Sequence, residues 1–132
     1  MKIDIINLYK QYAKEFLRQT QFLKNPILIN YNTWFISQEY RQSILDRLNI
    51  QHSSKSREYL QKVTKEGKGS SFDQMKYDTK AQDMKVLDRW EYFKDDEKYI
   101  KHFNDNELLD LTYQIFGETE SYIYITQKIC QL

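Results

Sequence analysis

Apolar residues recur along this chain mostly at intervals of three and four, the spacing of one face of an α-helix. Ile5, Tyr9, Tyr12/Ala13 and Phe16/Leu17 form the first such series, with Lys10, Lys14, Glu15 and Arg18 between them. Asp4 stands where it can cap that helix. Asn25-Pro26 stops it, because proline lacks the amide donor and disfavours helix in the residue before it. The rhythm then changes. Ile27-Leu28-Ile29-Asn30-Tyr31 is a short run rich in β-branched and aromatic residues, which predicts one buried strand. No second strand-like run lies nearby to satisfy its backbone.

Asn32-Thr33-Trp34-Phe35 reads as a turn with two large rings directed inward. Ser37 caps the next expected helix, which runs through Asn49 with Tyr40, Ile44 and Leu48 on one face and Glu39 near its positive end. A further helix is expected from about Ser54 to Lys65. Thr79-Lys80-Ala81-Gln82 has capping-box spacing and predicts a helix carrying Met84, Leu87 and Trp90 inward. Asp95-Asp96-Glu97 opens a short helix through Phe103. Asn104 with Glu107 repeats the cap for Leu108, Leu111/Thr112 and Ile115, and Gly117 ends that helix. Tyr122-Ile123-Tyr124-Ile125-Thr126 fits helix or strand, so the 118–132 tail is left open. The expected fold is mainly α with one or two short strands, in a single domain spanning 1–132.

Composition narrows the chemistry. In 132 residues, 20 basic side chains stand against 19 acidic ones, so nothing resembles the basic footprint of a nucleic-acid or anionic-membrane binder. The one cysteine, Cys130, makes no internal disulfide and no thiolate metal site. His52 and His102 each stand without a ligand set at metal spacing, and Asp95-Asp96-Glu97 reads as a helix start rather than a cation site. The amino end carries Asp4 and Asn7 among its apolar residues, unlike a signal peptide or membrane span. A cytoplasmic protein with no metal, nucleic-acid or membrane partner is expected.

The stretch from Gly67 to Lys76 is the most suggestive chemically. Gly67-Lys68-Gly69 gives a flexible backbone, and Ser70, Ser71 and Phe72 follow with two hydroxyls and a ring. Taken with Tyr9 to Leu17, Ile27 to Trp34, Leu48-Asn49-Ile50 and Arg89-Trp90-Glu91-Tyr92-Phe93, this stretch resembles the carboxyl-terminal half of the sulfotransferase-like P-loop family, especially its bacterial members. The resemblance covers 1–117. It implies an α/β fold fragment and 3′-phosphoadenosine 5′-phosphosulfate as the donor nucleotide. The family's adenine contacts would fall on Ser70 and Phe72, where a hydroxyl meets the purine edge and a ring stacks on its face.

Only part of that site is represented. The family's phosphate-binding loop and catalytic base belong to its amino-terminal half, and its grip on the 3′-phosphate would fall near Asp83-Met84-Lys85, where Asp83 has the wrong charge. The resemblance therefore implies a truncated or split sulfotransferase-like module, inactive alone and completed by another chain. The alternative is a non-catalytic helical interaction module that keeps only the scaffold. Either way, a complementary protein chain or a second copy is the expected partner, since the faces of Tyr9, Phe16, Trp34 and Phe35 would otherwise stay wet.

Overall fold

The computed structural model describes residues 4–51, 62–63, 66 and 70–131. Its regular secondary structure is helical. Helix α1 is Ile5–Phe16, α2 Tyr31–Ile36, α3 Gln38–Arg47, α4 Glu97–Lys101, α5 Asn106–Phe116 and α6 Glu120–Ile129. Two stretches of tighter 3-10 helix, Ala81–Asp83 and Val86–Phe93, stand between α3 and α4. Contacts gather in two compact units, one formed by Met1–Tyr40 with Leu87–Leu132, the other by Arg41–Val86.

The helix starts follow from short polar side chains at the expected places. Asp4 accepts from the Asn7 amide at 3.2 Å, and the Ser37 hydroxyl accepts from the Tyr40 amide at 3.0 Å. Asp96 and Thr119 cap α4 and α6 in the same way. The cap of α5 is Asp105 rather than Asn104, one residue later than the spacing suggested, with its carboxylate on the Leu108 amide at 3.0 Å. Gly117 ends α5 at a φ of 71°, a left-handed setting that costs glycine little. The tail resolves as helix α6.

Three expectations are corrected. Among the described residues no strand forms; Ser70 and Gln74 share one isolated bridge. Residues 27–30 lack a neighbouring strand and draw on side chains instead. The Asn30 amide donates to the Tyr40 hydroxyl at 3.0 Å, which itself leans toward the Leu28 carbonyl at 3.5 Å. Second, the expected turn at Asn32 to Phe35 is helix α2, started by Asn30, whose side chain accepts from the Thr33 amide at 3.2 Å. Third, Thr79 does not open a capping box. It sits at a φ of 67°, and the 3-10 segment after it has no side-chain cap. Leu87, Trp90 and Phe93 recur every third residue and so form one ridge in a three-residue-per-turn helix. Along that ridge Trp90 meets Tyr124 at 5.3 Å between centroids, and Phe93 stacks on Tyr99 at 5.1 Å. The helix expected from Ser54 to Lys65 and the Gly67-Lys68-Gly69 turn lie outside the described residues, apart from Lys62 and Val63.

In the first unit, α1 packs on α5 and α4 on α6. The small Ala13 of α1 is buried, as are Leu108 and Leu111 of α5, Ile100 of α4 and Ile125 of α6. A polar seam joins α1 to α5. Lys10 bridges Asp105 at 2.7 Å and Glu107 at 3.0 Å, Lys14 pairs with Glu107, and the Tyr9 and Thr112 hydroxyls meet at 3.2 Å. Asp105 holds the Lys10 ammonium above its usual pKa, with Glu107 adding to it, and Lys10 in turn holds the Asp105 carboxyl below the usual carboxylate range. In the second unit Ile44 and Ala81 are buried, and the Val63 amide donates to Asp78 at 3.2 Å.

Candidate functional site

Ser70 and Phe72 lie in one tight turn of the second unit. The Gln74 amide donates to the Ser70 carbonyl at 2.8 Å, and the Asp73 amide to the Ser70 hydroxyl at 2.9 Å. The Ser70 hydroxyl's single proton is directed to the Asp73 carboxylate at 3.2 Å. Ser70 thus helps to build the turn, with Gln74 at a φ of 47° completing it. Phe72, in the same turn, is 47% exposed. The turn brings the two residues close in the chain. Among the described residues no group of three acidic, His or Cys side chains is placed to hold a metal ion.

A larger feature stands on the first unit. Ile5, Leu8 and Tyr12 fall at helical spacing on one stripe of α1 and face solvent, Ile5 at 73% and Tyr12 at 66% exposure. The sequence pattern placed Ile5, Tyr9, Tyr12/Ala13 and Phe16/Leu17 on the inward face. Tyr9 and Ala13 do pack there, together with Lys10, because Ala13 admits close approach and Tyr9 and Lys10 bond to α5, whereas Ile5 and Tyr12 are left outside. The stripe is what remains outside.

The stripe continues through a clamp. Glu15, one turn beyond Tyr12, is buried although charged. Its carboxylate accepts from the Thr20 hydroxyl at 2.7 Å and from the Phe22 and Leu23 amides at 3.1 and 2.9 Å. The Thr20 hydroxyl first, then the two amides, hold its pKa below the ordinary glutamate value, so the charged form is the one that grips the loop. The grip is complete above the ordinary carboxylate range and is lost as pH falls through the lowered pKa. Its effect is positional. The backbone of residues 20–23 is pinned beside α1, while the Phe22 and Leu23 side chains point into water, Phe22 at 81% exposure.

Sequence reasoning passed over Glu15, Phe22 and Leu23. The available signal was Thr20-Gln21-Phe22-Leu23, an apolar pair outside any periodic series, five to eight residues after an acid near the helix end. Helix α2 adds a second apolar area on the same unit. None of its residues is buried, and Tyr31 stacks on Trp34 at 5.9 Å between centroids with an 18° interplanar angle. No described helix is long and apolar enough to cross a membrane. Compared with protein-family models, with curated proteins and with solved structures, the chain matches none.

Proposed function

We propose that this chain is a helical protein-interaction module whose binding element is the outer stripe of α1 together with the clamped 20–23 loop. One observation carries the reading. Ile5, Leu8 and Tyr12 are exposed on one stripe of α1, and the buried Glu15 carboxylate one turn further on holds the loop whose Phe22 and Leu23 are exposed as well. Scattered exposed apolar residues are ordinary, but a contiguous apolar patch above a few hundred Å² marks an interface. Ordering a loop costs conformational entropy, so a loop already pinned in its presenting form binds with less to lose.

The test is site-specific photo-crosslinking in the cell of origin. A benzoylphenylalanine at Tyr12 is expected to give discrete protein adducts, while the same group at the exposed Lys98 of α4 gives none of them. Absence of adducts at Tyr12, or the same adducts from both positions, would overturn the reading.

A second reading, the adenine-side half of a phosphosulfate site completed by another chain, is favoured by the half-exposed Phe72 in the turn that the Ser70 hydroxyl builds. One stacked base contributes about 1–3 kcal/mol, whereas millimolar affinity needs about 4. Adenosine 3′,5′-bisphosphate is therefore expected to bind the chain alone more weakly than about 1 mM in calorimetry. Micromolar binding abolished in Phe72→Ala would mean that the chain carries a complete nucleotide site and would reverse the order of the two readings.

A further inference from the structure

We infer that the partner of the α1 stripe is a second copy of this chain, docked with the two α1 helices antiparallel across a two-fold axis near Leu8. The inference rests on the interaction-module reading and adds the identity of the partner. It is carried by the area of the stripe and by the order of groups along it.

At ~150–250 Å² per large side chain, the exposed fractions of Ile5, Leu8, Tyr12, Phe22 and Leu23 amount to roughly 500–800 Å². A standard stable interface takes about 800 Å² from each partner. The stripe thus supplies most of one side of such an interface without recruiting any other surface.

The order of groups along the stripe matches its own reverse. Asp4 stands exposed at the amino end of α1, while Arg18 and Lys24 stand exposed just beyond the carboxyl end, and the apolar residues lie between. Laid antiparallel, the acidic end of each copy points toward the basic end of the other, and the two helix dipoles oppose favourably. A parallel pairing would set like charges together at both ends. In the antiparallel register Ile5 faces Tyr12 of the other copy, and Leu8 lies beside the axis. The Phe22 and Leu23 side chains, held at Glu15 one turn beyond Tyr12, then lie past the other copy's Ile5 and extend the apolar contact at each end. A two-fold axis makes both halves of this contact identical and closes the assembly at two.

Sedimentation equilibrium of the full chain at about 100 μM is expected to give a dimer, as micromolar affinity requires. Tyr12→Asp, which puts a charge into the centre of the stripe, should weaken association about tenfold or more with unchanged circular dichroism. Phe22→Ser, on the loop, tests the same contact independently should Tyr12→Asp disturb the helix. The register has its own readout. In a Cys130→Ser background, Leu8→Cys should form a disulfide-linked dimer under mild oxidation and Ile5→Cys should not, because the antiparallel axis separates the two Ile5 positions by about seven residues of helix rise, on the order of 10 Å. A monomer at about 100 μM, or a dimer that neither Tyr12→Asp nor Phe22→Ser weakens, overturns the inference. Equal linking at Ile5 and Leu8 overturns the antiparallel arrangement. A monomer whose Tyr12 still crosslinks to a different protein leaves the interaction-module reading standing and removes only the second copy as its partner.

Discussion

Leu111→Ala is expected to lower the unfolding free energy by about 2–5 kcal/mol, the largest loss from any single truncation in the first unit. Leu111 is the most buried of the core side chains, at 2% exposure, in the middle of α5 where that helix packs on α1. Removing most of an aliphatic side chain there loses its transfer free energy and leaves a void. The void cannot close easily. Its neighbours in sequence on that face, Leu108 and Thr112, are tied in place: Leu108 is itself buried, and the Thr112 hydroxyl bonds the Leu108 carbonyl at 2.7 Å and meets the Tyr9 hydroxyl. A domain of this size has only about 5–15 kcal/mol in hand, so the variant approaches the unfolded side at physiological temperature. At ~3–6 °C per kcal/mol, the thermal midpoint should fall by about 6 °C or more. Thermal denaturation followed by circular dichroism measures it. A shift of only one or two degrees would mean that α1 and α5 do not share a cooperative core, and that the exposed stripe belongs to a loosely held helix.

What the sequence revealed and what it concealed divide along one line. Local chemistry was legible. Asp4, Ser37, Asp96 and Gly117 act at helix ends as their spacing indicated, because a cap involves a side chain and amides two or three residues away. The 27–31 run was misread because strand propensity reports a preference for a pleated, packed surface, and the described residues offer no neighbouring strand. A tyrosine ten residues on satisfies the backbone instead, and that contact leaves no trace in periodicity. The packed face of α1 was legible at Tyr9 and Ala13, but the exclusion of Ile5 and Tyr12 from it was hidden. Tyr9, Tyr12 and Phe16 are similar in hydrophobicity, and the choice falls to Ala13 and to the Lys10 pairing with Asp105, a residue 95 positions away. Of the candidate site, Ser70 and Phe72 were visible as a polar turn with a ring. The Glu15 clamp was not, because a glutamate at the end of an amphipathic helix ordinarily signals nothing more than a solvated face.

The second large effect is expected at Asn30, whose one side chain serves two helix ends. Its Oδ1 accepts from the Thr33 amide at 3.2 Å and starts α2, while its Nδ2 donates to the Ile115 carbonyl at 3.0 Å. Ile115 lies in the last turn of α5, where carbonyls have no partner within the helix. Asn30→Ala removes the cap, which costs about 0.5–2 kcal/mol, and the tether, which costs a further ~0.5–1.5 kcal/mol. The sum, about 1–3.5 kcal/mol, should appear as a lower urea midpoint at unchanged slope. Two substitutions separate the roles. Asn30→Ser keeps an oxygen for the cap but is too short to reach Ile115, so it should lose only the tether's share. Asn30→Asp also keeps the cap, yet it sets a carboxylate against a carbonyl at the negative end of α5. It should therefore fall below Asn30→Ser at neutral pH and recover toward it as the acid protonates. If Asn30→Asp matches the native chain at neutral pH, the Ile115 bond contributes nothing and the cap alone fixes α2. If Asn30→Ser is as unstable as Asn30→Ala, the tether is the dominant contact, and the position of α2 and its aromatic residues depends on α5 rather than on local sequence.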